Sequence, residues 1–418
     1  MDGSLGYIVG GGCLRRLKPF WEKGLGIPKL FSWGWTEFSN KCQYIKEIFM
    51  KVAVIGGYGP SLINFRGSML CAMKDAGHEV YGIAPADSPD VPARLAAMGI
   101  KYVPAPIRRT GMNPVRDLTT IYSLFKILRD IKPDAVLSYT IKPVIYGSLA
   151  AKMAGVPSIF SMITGLGYAF GETSGKRAIL FQLVKNMYRC GLATNNCVMF
   201  QNPDDRNLFI ELGIIGRNKK NVITNGSGVD LDHFCTMPIK RDAPVFLCIS
   251  RLLKEKGVRE FAQASMILKK KYPEAQFRLV GPHDPGPDSI SEKVIEEWKA
   301  AGVDCVGPVD DVRDELENCS VYVLPSYREG TPRSVLEAMS TGRAIVTTDT
   351  PGCRETVIDG ENGFMVPVKD VPALKRAMEK FITSPKLIRA MGGKSCDLAA
   401  HKYDVNKVNT TIMNAMGL

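Results

Sequence analysis

Two glutamates eight positions apart, Glu329 and Glu337, stand in the segment YREGTPRSVLEAMSTG, which follows the apolar run VYVLPS. Val335, Leu336 and Met339 take core-facing helical spacing in its second half. Glu329 and Gly330 therefore fall on a strand-to-helix loop, and Glu337 lies about two turns into the helix, on the face nearest a cleft. Carboxylates there can accept hydrogen bonds from the vicinal hydroxyls of a sugar or a ribose. Free N–H groups at such a helix start favour an anion, here a diphosphate or a network of sugar hydroxyls. Two solvated glutamates would be the bland alternative, which the flanking strand signals disfavour.

A second cluster lies in CISRLLKEKGVREF, where an apolar strand ends at Ser250 and Arg251 and Lys256 flank a short loop closed by Gly257. Fixed cations at a strand C-terminus can neutralise the charge that grows on a departing nucleoside diphosphate. Taken alone, a Lys-Glu-Lys string is more often a basic surface loop. The third cluster is GGYGPSLINFRG after the first strand, where Gly56, Gly57 and Gly59 let the backbone approach a ligand. It does not complete the dinucleotide register, because Ile63, Asn64 and Phe65 follow where glycine or alanine is needed. No D-x-D pair suggests a metal site, and Asp310-Asp311 falls on a turn after Gly307-Pro308, so no metal and no cofactor are expected.

The elements that must position these residues alternate. From Lys51 on, apolar runs at 52–55, 80–83, 135–137, 158–163 and 197–200 read as buried parallel strands, with amphipathic helices such as 117–130 and 141–153 between them. A polar connector spans 227–242, and the pattern restarts with strands at 245–250, 276–280, 321–325 and 344–347. The fold class is thus α/β, with two Rossmann-like doubly wound domains facing across a cleft between strand C-termini. The divisions expected are 1–49, an atypical extension; 50–235, an N-terminal domain; 236–385, a C-terminal domain; and 386–418, helices strapping the two together. MKVAVIGGYGP at Met50 opens the α/β pattern, so the preceding segment, with Trp21, Trp33 and Trp35, reads as an upstream extension from a misplaced start. A membrane-surface arm is the alternative reading, and the segment lacks the n-region and apolar core of a signal peptide.

Composition sets the outer limits. The chain has 418 residues, 45% hydrophobic and 23% charged, which excludes wholesale disorder. Its longest apolar stretches, such as 156–170, are broken by Ser, Thr and Gly before the ~20 residues of a membrane span. Eleven cysteines without C-x-x-C pairs suit buried reduced thiols in a cytosolic protein. The net charge of +12 suits an anionic partner, and with basic residues dispersed and no nucleic-acid motif present, a phosphate-bearing substrate and a lipid surface are favoured over nucleic acid. Basic residues at Lys176, Arg177, Lys185 and Arg189 alternate with Ile179, Leu180, Phe181 and Leu183, a stretch able to lie on an anionic membrane. An ordinary half-buried helix explains it equally well.

The E-x7-E pair in this setting resembles that of the large retaining glycosyltransferase family of GT-B fold, which uses UDP- or GDP-sugars. The resemblance covers nearly all of residues 50–418. It implies that Glu329 binds the donor sugar hydroxyls and Glu337 the nucleotide ribose. It also implies that the amides of Gly330 and Thr331 meet sugar or phosphate oxygens, and that Arg251 and Lys256 replace the metal of other transferases. The loop at Gly56, Gly57 and Gly59 would face donor phosphate and acceptor, and Asn64, Phe65 and Arg66, at the start of the following helix, would stand on the acceptor side. YTIKPVIYGSLAAKMAGVP, ITGLGYAF, FQNPDDRNLF and PGCRE resemble the subgroup that extends polyprenyl-diphosphate-linked sugars, N-acetylgalactosaminyl and related hexosyl transferases among them. The implied partners are a UDP-sugar donor, a polyprenyl-diphosphate-linked acceptor and the inner face of the cytoplasmic membrane. One departure stands out. Where many relatives carry a histidine near the donor sugar, this chain has Thr164, which argues against a histidine-dependent step. A nucleotide-sugar epimerase of the same architecture, an NAD-dependent oxidoreductase and a non-catalytic scaffold are the competing readings.

Overall fold

The computed structural model describes residues 49–108, 114–166, 170, 176–240, 243–284, 286 and 288–418. The two readings of the N-terminal extension rest on residues 1–48, outside the described residues. Met50–Leu418 forms one unit by its internal contacts.

Its first half follows the apolar runs. The strands are β1 (Lys51–Ile55), β2 (Glu79–Ala84), β3 (Lys101–Pro104), β4 (Ala135–Tyr139), β5 (Ser158–Ile163), β6 (Cys197–Phe200) and β7 (Asn221–Ile223). Between them run α1 (Gly59–Asn64), α2 (Gly67–Asp75), α3 (Val91–Ala97), α4 (Pro114–Ile131), α5 (Ser148–Met153), α6 (Lys176–Ala193) and α7 (Pro203–Glu211). The strands join in the order β3-β2-β1-β4-β5-β6-β7, all parallel. The second half repeats the plan with β8 (Val245–Ile249), α8 (Val258–Lys271), β9 (Gln276–Val280), α9 (Glu292–Ala300), β10 (Asp304–Gly307), α10 (Arg313–Asn318), β11 (Val321–Leu324), α11 (Arg333–Ser340), β12 (Ala344–Thr348) and β13 (Gly363–Val366). Its parallel order is β10-β9-β8-β11-β12-β13. Central strands such as β4 and β12 are buried at every residue, as expected of parallel sheets covered on both faces.

The order reverses between β1 and β4 in the first sheet and between β8 and β11 in the second. Crevices at the carboxyl ends of such neighbouring strands are where doubly wound sheets take their ligands. The loops after β1, β4, β8 and β11 carry Gly56–Gly59, Thr140, Arg251–Lys256 and Glu329–Thr331 respectively. Strand order alone therefore sets most of the expected site residues at two facing switch points.

Three further helices close the chain: α12 (Val371–Thr383), α13 (Lys386–Leu398) and α14 (Val405–Met416). The first two pack in the core of the second sheet, through Leu374, Phe381, Ile388 and Met391. The last returns to the first sheet, where Val408, Ile412 and Met416 share a core with Val52, Leu70 and Leu137. Asn409 fixes it by donating to Ser68 Oγ at 3.0 Å. A parallel bridge pairs Val229 with Asp404, so the two strands of chain that link the lobes run side by side.

One local expectation is corrected. Phe65 and Arg66 do not begin a helix: α1 starts at Gly59, with Pro60 in its first turn, and the helical run breaks at these two residues before α2. The break leaves Phe65 47% exposed and turns Arg66 inward to 3% exposure.

Candidate active site

The loop after β8 and the loop after β11 can lie against each other because of one glycine. A short 3-10 turn, Lys254–Lys256, ends in Gly257 at φ +69°, where a Cβ would run into the Pro325 carbonyl. Held this close, Lys256 Nζ lies 2.6 Å from Glu329 Oε1, with both side chains about one-sixth exposed. Ser326 Oγ donates to the same carboxylate oxygen at 2.8 Å. Two expected site residues thus form one ion pair. Arg251 pairs elsewhere, its Nη1 2.7 Å from Asp284 Oδ2 on the loop after β9. Glu337, 8% exposed, sits on α11 with Arg333 one turn before it, Nε to Oε1 2.8 Å. Burial pushes the Glu337 carboxyl up, and Arg333 pulls against that shift. No side chain caps α11, so its first N–H groups stay open to an anion beside Gly330 and Thr331.

The Glu329 loop is also gripped from the first lobe. Asn202 caps α7, its Oδ1 accepting from Asp205 N at 2.8 Å, and its Nδ2 donates to the Gly330 carbonyl at 2.6 Å. Thr331 Oγ1 donates to the Gln201 carbonyl at 3.2 Å. Fully buried Asp205 forms an ion pair with Arg328, and Asp204 pairs with Arg354 at 3.1 Å. Burial raises the Asp205 carboxyl while Arg328 opposes the shift. Gly330 leaves no room for a side chain, since a Cβ there would press on Gln201 Oε1 and the Thr164 carbonyl. Thr164 and Gly330, from opposite lobes, are therefore in contact through backbone.

The glycine loop after β1 is crowded by the protein's own side chains. A Cβ at Gly56 would strike the Tyr139 hydroxyl, at Gly57 it would come within 2.9 Å of Thr140 Oγ1, and at Gly59 within 2.6 Å of Asp87 Oδ1. These glycines make room for the protein's own side chains. Asp87 accepts from Gly59 N at 3.0 Å, and Tyr139 shares a 2.7 Å hydrogen bond with Ser61 Oγ. Thr140 takes φ +68°, strained for a β-branched residue, at the carboxyl end of β4. Arg66 lies over the Tyr139 ring with Cζ 5.1 Å from its centroid. Burial lowers its guanidinium to about 10, Tyr139 opposes this and Arg333 adds to it. Phe65 meets the same Arg333, whose Cζ is 5.5 Å from the ring centroid.

The expected residues are thus drawn together in part. Lys256 joins Glu329, Thr164 joins Gly330, and Phe65 and Arg66 reach the helix of Glu337 through Arg333. Arg251 has a separate partner, and Asn64 is exposed at the end of α1. Sequence reasoning missed Arg333, although an Arg four residues before a Glu is an ion-pair signal on a helix. It also missed Asn202 and Asp205 as partners of the Glu329 loop. The Asn-Pro-Asp-Asp string announces a capped helix, yet nothing local reveals a partner 128 residues away. Among the described residues, no group of three or more His, Cys, Asp or Glu could hold a metal ion. His78, 6% exposed, has its Nδ1 accepting from Met50 N at 3.2 Å.

Known proteins resemble this arrangement. A family model described as glycosyl transferase 4-like matches residues 67–202, and one described as Glycosyl transferases group 1 matches residues 243–384. N,N'-diacetylbacillosaminyl-diphospho-undecaprenol alpha-1,3-N-acetylgalactosaminyltransferase of Campylobacter jejuni is 29% identical, covering 85% of this chain and 96% of its own length. UDP-Gal:alpha-D-GlcNAc-diphosphoundecaprenol alpha-1,3-galactosyltransferase of Escherichia coli is 27% identical over 71% of this chain and 77% of its own. Among solved structures, sucrose-phosphate synthase of Thermosynechococcus elongatus superposes with a TM-score of 0.73 at 16% identity, covering 87% of this chain and 98% of its own. Anabaena Alr3699/HepE in complex with UDP superposes at 0.68 and 19% identity, covering 87% and 99%. The fold is GT-B.

Proposed function

We propose, from the premise that this chain is a GT-B glycosyltransferase made of a 4-like and a group 1 domain, that it moves a hexose or N-acetylhexosamine from a UDP-sugar to a polyprenyl-diphosphate-linked saccharide, with retention and without a metal ion. The observation that carries the reading is the pairing of each E-x7-E carboxylate with a cation at the second switch point. Lys256 holds Glu329 at 2.6 Å and Arg333 holds Glu337 at 2.8 Å. A polyprenyl-diphosphate acceptor is supported by the names of the two relatives, and a UDP donor by the second name and by the UDP complex of the structural neighbour.

In this reading Glu337, kept in place by Arg333, accepts the ribose hydroxyls, and Glu329 accepts those of the donor sugar. Arg251 and Lys256 share the diphosphate, and Lys256 stays close enough to Glu329 to link sugar and phosphate. The acceptor oxygen bonds to the anomeric carbon on the face from which the diphosphate leaves, the carbon–phosphate-oxygen bond breaks, and the acceptor proton passes to that phosphate oxygen. Charge neutralisation by two fixed cations supplies what a metal would. Contact between the lobes, through Gly330 and Thr164, keeps water from the donor.

An acceptor on a lipid must be met at the bilayer. Among the described residues no helix is long and apolar enough to cross a membrane. The reading is of peripheral contact, and α4 supports it better than the stretch at 176–189 alone. Val115, Leu118 and Tyr122 on α4 are 73%, 66% and 55% exposed, and Ile179 and Leu183 on α6 are 73% and 49% exposed. Both helices pack beside α5, on one layer. Replacing Leu118 and Tyr122 by Ser should lower co-sedimentation with vesicles containing anionic lipid; unchanged binding would remove α4 from the surface.

The experiment that tests the whole reading is a thermal-shift panel of UDP, GDP, NAD and UDP-hexoses with and without EDTA. Stabilisation by UDP and one UDP-sugar, unaffected by EDTA, is expected. NMR of the product glycoside then reads the anomeric configuration. A response to NAD alone, or an inverted product, would overturn it.

A further inference from the structure

Four cations of the site loops and of the helix that carries Glu337 are each answered by a carboxylate. Lys256 has Glu329, Arg251 has Asp284, Arg333 has Glu337 and Arg328 has Asp205. Arg66 has none among the described residues. It is 3% exposed, and its Nε is buried without a hydrogen-bond partner. The groups that act on its charge are Tyr139 and a second cation, Arg333. Tyr139 cannot serve as counterion: burial pushes its hydroxyl up to about 12, so it is neutral, and its oxygen is already bonded to Ser61. A guanidinium withdrawn from water with no anion, beside another guanidinium, costs stability. It fits a ligand that brings the missing negative charge, and a planar fork of N–H donors suits phosphate oxygens.

We propose that Arg66 and Arg333, one from each lobe, form a phosphate subsite walled by Phe65 and Tyr139 and distinct from the Arg251–Lys256 pair. The inference rests on the transferase reading for the source of the phosphate, which is the diphosphate of the lipid-linked acceptor or that of the donor. Its position on the first lobe favours the acceptor. A phosphate held by both arginines would bridge the two lobes, so occupation of the subsite would couple phosphate binding to their contact. Arg333 would then serve two ligands at once, holding Glu337 for the ribose through Nε and the second phosphate through its remaining nitrogens.

Inorganic pyrophosphate is the first probe, used on the full chain. In an Arg251→Ala/Lys256→Ala background, where the other phosphate cations are gone, pyrophosphate is expected still to raise the melting temperature. Adding Arg66→Met should abolish that rise, and Arg66→Lys should keep part of it. An equal rise with and without Arg66 overturns the subsite, as does the absence of any rise in the background. If Arg66→Met does not fold, Arg66→Gln reads the same quantity. Steady-state kinetics on the otherwise native chain then separates the sources. A tenfold or greater rise in KM for a short-chain prenyl-diphosphate sugar, with UDP affinity unchanged, assigns the acceptor. A tenfold loss of UDP affinity with UMP affinity unchanged assigns the donor. The absence of both changes overturns the proposal. Failure of the transferase reading would show separately, as a wild-type chain that UDP does not stabilise while the Arg66-dependent pyrophosphate rise persists.

Discussion

The two lobes repeat one strand plan, but the cations of their switch-point loops are matched differently. Above β8 and β11 the two cations expected at the diphosphate are paired within the protein, Lys256 with Glu329 and Arg251 with Asp284. Above β1 and β4 the loop is tightly filled by Tyr139 and Asp87, Lys142 pairs with Asp117, and the buried Arg66 has no ion pair among the described residues. At the second lobe's switch point, Lys256 and Arg251 are therefore matched by carboxylates before any ligand arrives. A donor must compete with carboxylates for its cations, which favours a ligand that also satisfies those carboxylates, as a nucleotide sugar with its hydroxyls does. The first lobe holds its unsatisfied charge for a ligand that offers only negative charge.

The sharpest way to break this comparison is to remove a charge that is paired. Lys256→Ala should lower kcat by ~10²–10³-fold, the loss seen when one fixed donor to a developing oxyanion is deleted. It also leaves Glu329, 15% exposed in its side chain, without its cation, so Lys256→Ala/Glu329→Gln should recover stability but not rate. A rate loss below about tenfold in single-turnover kinetics would show that the pair is structural. Next in size is Glu337→Gln, expected to weaken UDP by about 10–100-fold, the range of a hydrogen bond to a charged acceptor. Calorimetric UDP binding checks it, and kcat at saturating donor should change little. An unaltered UDP affinity would detach Glu337 from the ribose.

How far these residues could be read from the sequence depends on how local their cause is. β1, β4, β8 and β11 were legible because buried parallel strands need uninterrupted apolar runs, and the glutamate pair was legible because strand, loop and helix are contiguous. The edge strands β3, β7 and β10 were not, since none of their residues is fully buried and no apolar run marks them. The stretch 141–153 reads as one helix but holds a π-turn at Pro143–Gly147 before α5, a bonding change that residue spacing does not reveal. The glycines after β1 were visible as glycines, but their reason was not. Tyr139 fills the place beside Gly56 from a strand 83 positions later, a partner that only the β1–β4 pairing brings near.

The same limit hid the grip on the Glu329 loop, and a prediction of intermediate size tests it. Asp205→Ala removes the partner of Arg328 and of the Asn202 amide. It should cost about 2 kcal/mol in denaturant midpoint, the penalty of leaving buried polar groups unpaired. A purely structural contact would stop there. If α7 positions Glu329, Asn202→Ala should also lower kcat more than it raises KM for donor, because the Gly330 carbonyl loses its 2.6 Å donor while Glu337 and the nucleotide contacts are intact. Equal loss of stability with an unchanged kcat would make the grip a hinge support only.

The smallest effect is opposite in sign, and it sets the lobes apart most directly. In the ligand-free chain Arg66→Met should raise stability by roughly 1 kcal/mol, because an unpaired buried charge disappears and only its contact with the Tyr139 ring is lost. Removing Lys256 or Arg333 should never do this, as each leaves a carboxylate alone. The pH dependence follows from the direction of the shift. Burial holds the Arg66 guanidinium at about 10 in the folded chain, below its ordinary value of 12.5. Below pH 10 both folded and unfolded states carry the proton, so the penalty of the charge is fully present and the variant keeps its whole advantage. As pH rises through 10 the folded state releases the proton while the unfolded state retains it, wild-type stability recovers, and the advantage shrinks. Denaturation of the two chains at pH 7, 9 and 10.5 reads this difference. An Arg66→Met chain less stable than wild type at pH 7 would mean that the guanidinium is satisfied in the absence of ligand, and the contrast between a completed and a waiting lobe would be lost.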